Sequence, residues 1–387
     1  MKIEAWYQTY FESKLKGRYI AFHHLDPILE SYSEKFNLET VGRSVNGQKI
    51  VSLTIGSGSK KVLAWSQMHG NESTTTKALF DFFKFLTQKE YFQDAIQEFL
   101  NNYTFKVLPM LNPDGAELYT RENANSIDLN RDAKELSQPE SKVLRKVFDA
   151  FSPDLCLNLH DQRTLYSLPG GKSATVSFLA PAANPKRSTT KARKMAMDSI
   201  ARMATMLNRQ LPRQIGRYDD TFNDNCVGDT FQSKGIPTIL FEAGHFPNDY
   251  SRDVTRKYIF YAYLKLFGLY PDDGIELKPL SYRSIPENEK LYRDILLRNV
   301  RMDGSDEIQD VAIQYEEQLT EKGILLVPKI DEIGNLSNYL GHKEIDGEGA
   351  EILMNIHENV FENEKVSMIV DKYATNRVFF KDSFDVF

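Results

Sequence analysis

Lys61-Val62-Leu63-Ala64-Trp65-Ser66-Gln67-Met68-His69-Gly70-Asn71-Glu72-Ser73-Thr74-Thr75-Thr76-Lys77-Ala78-Leu79-Phe80 is the stretch on which the fold turns. Its first part, up to Met68, is a largely apolar run of the kind that forms a buried strand, and the residues from Ser73 onward read as a helix. His69-Gly70-Asn71-Glu72 is the turn between them. An imidazole and a carboxylate three residues apart at a strand-to-helix turn can grip one metal ion. A third ligand would complete a hydrolytic zinc site with one position left open for water. Taken alone, His-x-x-Glu is a short pattern that a polar surface turn also satisfies. The rest of the chain has to supply the remaining groups.

Strands and helices alternate on either side of this unit. A helical stretch over about residues 4–37 leads into two strands, 38–44 and 48–55, around Val45-Asn46-Gly47, and Asn-Gly is a strong hairpin signal. After the helix 73–87 come a strand over 103–110 that ends in the turn Asn112-Pro113-Asp114-Gly115, a helix over 139–151 and a strand over 154–159. A long helix over 188–210, a strand over 238–242 and a helix over 252–267 complete the series. This alternation predicts an α/β fold: a mixed, mostly parallel sheet with helices on both faces. Near residue 270 the character changes. Pro271-Asp272-Asp273-Gly274, Pro279 and Pro286 punctuate a connector, and short alternating segments at 294–300, 311–315, 323–327 and 366–370 predict a small β-rich C-terminal domain. The expected domains are therefore 1–272 and 283–387.

Composition narrows the class. The chain has 387 residues, 41% hydrophobic, and a net charge of −6 with both signs well mixed, which argues against a nucleic-acid-binding or polybasic membrane-binding surface. No apolar run is long enough to span a membrane, and the start lacks a secretory h-region, so a cytoplasmic location is expected. The two cysteines, Cys156 and Cys226, are expected to be free thiols rather than a disulfide.

Further polar groups stand at strand ends, where loops and helix N-termini converge in open α/β sheets. His160 follows the strand 154–159, and Glu242 ends the strand 238–242. Of seven histidines, His69 and His160 fall at strand ends, while His23, His24, His245, His342 and His357 have no comparable setting. His69, Glu72 and His160 would hold one Zn²⁺, with Asp161 or Asn158 orienting the His160 ring. A satisfied buried histidine is the alternative for His160. Glu242 closes a very apolar strand, where a carboxylate can take a proton from a zinc-activated water and pass it to a leaving amine. A rim ion pair is the alternative there. Arg121, Asn130 and Arg131 suit an anionic substrate: Arg131 with Asn130 can hold a carboxylate, and Arg121 can polarise a carbonyl. Their alternative is surface pairing with Glu122, Asp128 or Asp132.

The ordered set His69-Gly70-Asn71-Glu72, Asn112-Pro113-Asp114-Gly115, Arg121, Asp128-Leu129-Asn130-Arg131, Leu159-His160 and Phe241-Glu242, with the lead-in Val41-Gly42-Arg43-Ser44-Val45-Asn46-Gly47-Gln48, resembles the M14 zinc metallocarboxypeptidases over roughly residues 10–270. The resemblance implies zinc ligands at His69, Glu72 and His160, an oxyanion-stabilising Arg121, carboxylate binding by Asn130 and Arg131, and Glu242 as general base. It also implies a capping tyrosine before the base, for which Tyr218 is the nearest candidate and Tyr250 a poorer one. The residue that sets specificity is expected between Asp219 and Phe231, with Cys226, Val227 and Asp229 as candidates. The substrate implied is a peptide or acyl-amino acid with a free carboxylate. The N-acyl amino acid deacylases of the aspartoacylase and succinylglutamate desuccinylase type share the metal set and a C-terminal β-rich domain, and form the second reading. A non-catalytic binding module on the same fold is the third.

Overall fold

The computed structural model describes residues 1–271, 274–275, 277–302, 304–355 and 359–382; Asp272 and Asp273 of the expected connector, and His357, lie outside the described residues. The chain divides into two compact units, Met1–Gln162 with Ala174–Asn288, and Arg163–Ser173 with Glu289–Phe387. The second unit was expected to be one continuous segment from residue 283. It starts instead at Glu289 and takes in an eleven-residue insertion from the middle of the chain.

The first unit is built on the strands β1 (Asn37–Arg43), β2 (Lys49–Ile55), β3 (Lys60–Ser66), β4 (Tyr103–Leu108) and β5 (Leu155–Asp161). A two-stranded ribbon, β6 (Ser167–Leu168) and β7 (Lys172–Ser173), belongs to the second unit. The first unit then resumes with β8 (Val176–Leu179), β9 (Ile215–Arg217) and β10 (Thr238–Ala243). These eight strands form one sheet in the order β1-β2-β4-β3-β5-β10-β8-β9. The centre, β4-β3-β5-β10, is parallel throughout, whereas β1-β2, β2-β4 and β10-β8 are antiparallel. The sheet is thus mixed with a parallel heart, as the alternation of elements predicts.

Both faces of the heart are covered, which is why its strands read as unbroken apolar runs. Val62, Ala64, Leu157, Leu159, Ile239 and Phe241 point into a core shared with α1 (Ile3–Tyr10), α2 (Phe22–Tyr32), α3 (Thr74–Thr87), α4 (Gln93–Asn102), α7 (Lys191–Leu207) and α9 (Asp253–Leu266). Leu63, Trp65 and Cys156 point the other way, against α6 (Pro139–Phe151) and α8 (Val227–Ser233), where the Phe148 and Phe231 rings stack at 3.8 Å. A short helix, α5 (Pro113–Leu118), follows β4. Cys156 is buried, and both cysteines are free thiols.

The N-terminal stretch expected to be continuously helical breaks between α1 and α2. A buried charge replaces helical hydrogen bonding there. Asp81 on α3 accepts Arg256 Nε and Nη2 at 2.7 and 2.6 Å, Tyr7 Oη at 3.2 Å and the Glu12 N–H at 2.8 Å. Arg256 on α9 also donates to the carbonyls of Leu15 and Glu12, at 2.7 and 2.8 Å. The backbone between the helices is thereby spent on satisfying a desolvated ion pair, the condition under which such a pair is tolerated in a core.

In the second unit, β11 (Tyr292–Arg301), β12 (Ile308–Thr320), β13 (Gly323–Gly334) and β14 (Leu340–Asp346) form a sheet in the order β13-β12-β11-β14. The strands β15 (Ile352–Met354), β16 (Met368–Asp371) and β17 (Val378–Lys381) form a second, three-stranded sheet. The two share an apolar cluster that includes Ile295, Leu297, Ile313, Ile330, Ile352 and Ile369. The inserted ribbon is tied into this unit. Ser167 and Glu289 exchange backbone hydrogen bonds of 2.8 and 3.0 Å, Tyr292 Oη donates to the Gly171 carbonyl at 2.9 Å, and His342 Nε2 bonds the Thr164 carbonyl at 2.9 Å. The Tyr292 and His342 rings stack, 4.2 Å apart and nearly parallel.

Candidate active site

The turn His69–Glu72 leaves β3 at the carboxyl end of the sheet, and close backbone packing fixes its path. A β-carbon on Gly70 would lie 2.0 Å from the Gly115 carbonyl carbon, and one on Gly115 would lie 2.4 Å from the Glu122 carbonyl oxygen. Only glycine fits at either point. Asn112 holds the crossing. Its Oδ1 accepts the Gly115 N–H at 2.9 Å, and its Nδ2 donates to the Met68 and Glu122 carbonyls at 3.2 and 3.1 Å. Asp114 accepts Ser44 Oγ, the Asn46 N–H and Gln48 Nε2 at 2.8 to 3.0 Å, which ties the first hairpin to the same place. The Asn112–Gly115 and Ser44–Gln48 motifs are therefore scaffolding for the metal turn.

Three potential ligands converge. His69 Nδ1 lies 2.8 Å from Glu72 Oε1, His160 Nδ1 lies 2.8 Å from Glu72 Oε2, and the two Nδ1 atoms are 3.2 Å apart. His69 and His160 are 2% exposed and Glu72 9%. Among the described residues this is the group of His, Cys, Asp and Glu side chains that could hold a metal ion. Two ligands of a tetrahedral zinc with bonds of about 2.0–2.1 Å stand roughly 3.3 Å apart. The spacing of the imidazole nitrogens and the N₂O donor set both fit that ion.

Neither Asp161 nor Asn158 orients His160, contrary to expectation. The Asp161 carboxylate caps α3 instead, accepting the Thr74 and Thr75 N–H groups at 2.8 and 3.2 Å, because the first turn of a helix presents unpaired donors. The ring that does gain a carboxylate partner is His69, whose Nε2 lies 3.0 Å from Asp128 Oδ1. That contact spans 59 positions of sequence, and the sequence alone offers Asp128 as an ion-pair partner for the arginines and as part of the Asp128–Arg131 motif, not as a partner of His69. Carboxylate–imidazole–metal relays of this form fix the ring and its tautomer.

Electrostatics follow from this packing. Burial opposes charge on His69, but Glu72 and Asp128 outweigh it and hold its pKa above the ordinary histidine value. Burial lowers that of His160. Glu72 stays ionised despite burial because both imidazoles favour its charge, and Asp128 is held low against burial by His69 and Arg121. Glu242 behaves oppositely: burial, then the neighbouring carboxylates of Glu72 and Asp161, push it well above the usual carboxylate range. Glu242 stands directly beside His160 in the β10–β5 register, so both side chains emerge on the same face at the same level. Its carboxylate accepts no hydrogen bond from the described residues.

The arginines flank this centre differently. Arg121 donates to both Asp128 and Glu72, through Nε and Nη2 at 3.1 and 3.0 Å and Nη1 at 3.4 Å, yet its side chain stays 42% exposed. Asn130 Oδ1 accepts the Val227 N–H at 3.0 Å, so this residue pins the start of α8 while its amide NH₂ remains to donate. Arg131 is exposed, contacts the Asn130 carbonyl at 2.8 Å and Cys226 Sγ at 3.1 Å, and pairs with no carboxylate of the described residues. Burial pushes the Asp229 carboxyl up to about 6. Tyr218 follows the edge strand β9, with its N–H on the Phe178 carbonyl at 3.0 Å. At about 4.8 Å per strand this places its backbone some 14 Å along the sheet from β5. The Tyr250 ring packs 4.7 Å from that of His245.

Known proteins share this architecture. The zinc carboxypeptidase family model matches residues 22–235, a span that contains the His69–Glu72 turn, Arg121, Asn130, Arg131 and His160 and ends just before β10. Carboxypeptidase M of Mus musculus is 26% identical over 196 residues, 42% of this chain and 44% of that protein. Carboxypeptidase E of Caenorhabditis elegans is 33% identical over 132 residues, 29% of this chain and 28% of that protein. The chain thus spans less than half the length of these curated relatives. Among solved structures, a metallo-carboxypeptidase from Burkholderia cenocepacia has a TM-score of 0.50 at 16% identity, covering 64% of this chain and 70% of that one. Carboxypeptidase A from Helicoverpa armigera gives 0.50 at 16% identity, covering 64% and 72%. At that identity the likeness establishes a shared fold. The family model covers more than half of the chain, and on that match the chain belongs to the zinc carboxypeptidases of peptidase family M14.

Proposed function

We propose that this chain is a zinc-dependent carboxypeptidase that hydrolyses the last peptide bond of a substrate with a free terminal carboxylate. The observation that carries this reading is the register of Glu242 with His160, which sets a partly desolvated carboxyl beside the His69–Glu72–His160 cluster. Those three residues would hold the ion, and bound zinc supplies Lewis acidity together with a water of lowered pKa, near 7. Glu242 receives the proton as water adds to the carbonyl carbon, and returns it to the amine nitrogen as the C–N bond breaks. Its raised affinity for a proton suits both transfers. Arg121, anchored by Asp128 yet still exposed, donates to the carbonyl oxygen as negative charge develops there. The exposed guanidinium of Arg131 and the amide NH₂ of Asn130 hold the terminal carboxylate.

Glu242→Gln keeps the shape and the metal ligands but cannot carry the proton. A fall in kcat of about 10²–10⁴ with zinc still bound is expected. Normal peptide turnover by this variant would sink the mechanism. Turnover of N-acyl amino acids alone by the native chain would assign it to the deacylases instead, and failure to retain zinc would favour a non-catalytic module.

A further inference from the structure

Gln67 stands between β3 and the His69–Glu72 turn, fully buried, with φ at +43°. That is the left-handed region, which a long side chain rarely adopts. Its Oε1 accepts no hydrogen bond from the described residues, a second cost in a buried place. Costs of this kind persist where the surrounding structure holds the residue to a task. The other half of the amide shows the task. Nε2 donates to the Gly70 carbonyl, three residues on, at 2.9 Å, and to the Ile20 carbonyl at 2.9 Å. Two carbonyl acceptors require the NH₂ end at that point, so the partners fix which way the amide faces. The first bond closes a ring of chain around Met68 and His69. The second ties that ring to the segment before α2.

The same segment is gripped at further carbonyls. Ser73 Oγ donates to that of Arg18 at 2.6 Å and Lys77 Nζ to that of Gly17 at 2.7 Å, while Arg256 takes those of Leu15 and Glu12. Gln67 precedes the His69–Glu72 turn and Ser73 follows it, so the turn is clamped on both sides to residues 12–20. Those residues lie before the span that the family model matches, which begins at residue 22. Membership of the family does not account for them.

We propose that Gln67 is a positioning residue for the metal site: it braces the His69–Glu72 turn against residues 12–20 and so sets His69 and Glu72 in place before an ion binds. This rests on the zinc reading of the site and adds what presets it. A loop that must be ordered on binding loses affinity to that ordering, and a turn already fixed in the folded chain does not. The Glu72 N–H on the His69 carbonyl, at 3.1 Å, and the Asn71 N–H on the Thr120 carbonyl, at 3.2 Å, report whether the turn is formed.

The test compares two variants of the full-length protein. Gln67→Met keeps the length of the side chain and removes both donors. It is expected to weaken Zn²⁺ binding at least about tenfold, measured by competition with a chelator, and to change the visible spectrum of the Co²⁺-loaded form, which reports ligand geometry. Tyr7→Phe removes a donor from the buried Asp81 instead, away from the turn. It should lower the Tm and leave both the Zn²⁺ affinity and the Co²⁺ spectrum as in wild type. If both variants lose Tm and both bind Zn²⁺ like wild type, Gln67 supports only the fold and the proposal is overturned. Hydrogen exchange on chelator-stripped wild type needs no variant. The Asn71 and Glu72 amides should already be protected there, and added Zn²⁺ should slow them by less than about tenfold. Amides that exchange freely until Zn²⁺ is added overturn the proposal, even where Gln67→Met fails to fold. A wild type that binds no Zn²⁺ defeats the zinc reading and this proposal together. A wild type that binds Zn²⁺ but cleaves no peptide defeats the carboxypeptidase reading alone, and the Zn²⁺ affinity of Gln67→Met still decides the brace.

Discussion

Asp128 makes three kinds of contact: one oxygen bonds the His69 ring, the other takes Arg121, and the Asn130 N–H donates to the first at 2.8 Å. A single carboxylate thus bonds the ring of one potential metal ligand and sets the position of the guanidinium beside it. Asp128→Ala is expected to weaken zinc affinity about 10–100-fold, measured by competition with a chelator, while far-ultraviolet circular dichroism stays native. Retention of native affinity would show that the ring needs no such partner. Asp229, in the first turn of α8, offers a pH handle. Its carboxyl titrates at about 6 in the folded chain against an ordinary 3.8. The folded state therefore holds this proton more tightly, so the associated stability is complete below about pH 4 and is lost as the pH rises through 6. Asp229→Asn should raise stability by on the order of 1 kcal/mol at pH 7.5 and leave it unchanged at pH 4, as urea titrations at the two pH values would show. A gain of the same size at both values would mean that packing, not charge, is responsible.

At the scale of elements, the metal turn and the Asn112–Gly115 turn interlock through backbone rather than side chains. Gly70→Ala drives a methyl group into the Gly115 peptide, 2.0 Å from its carbonyl carbon. Both turns must shift, so a loss of more than about 3 kcal/mol and of zinc binding is expected from thermal melts with and without the metal. A variant that melts and loads zinc like wild type would refute the interlock. Elements with strong local signals were legible in the sequence: β3, with an apolar run ending at the His69 turn, and the hairpin of β1 and β2 around Asn46-Gly47. The His69, Glu72 and His160 group, which could hold a metal ion, was legible for the same reason, since each residue stands at the carboxyl end of a clear strand or in the turn after it. What escaped had no local signature. β8 and β9 are too short to show a period, and α8 carries Gly, Asp, Thr and Gln within seven residues. The partnership of Asp128 with His69 exists only once β3 and the Asp128 loop have been brought together. The break between α1 and α2 is set by Asp81 and Arg256, which lie far along the chain from it.

For the whole molecule, the informative fact is that the second unit is discontinuous. The chain enters it at Arg163, leaves after Ser173 and returns at Glu289. It is therefore no simple C-terminal appendage. Ending the chain after Asn288 removes Glu289, the backbone partner of Ser167, along with the Tyr292 and His342 contacts to Gly171 and Thr164. Such a fragment should be cut readily by trypsin at Arg163 or Lys172 while the full chain resists there; equal resistance would show that the ribbon stands without its partners. The same feature constrains how the protein is made. Synthesis runs from the N-terminus, so the ribbon leaves the ribosome well over a hundred residues before Glu289 does. At about 5–20 residues per second that is a wait of roughly 6–25 s. During it, β8, β9 and β10 can close the central sheet and bring Glu242 to His160 while the loop between them is still unpaired. The His69, Glu72 and His160 group can therefore come together before the strands of the second unit have been made.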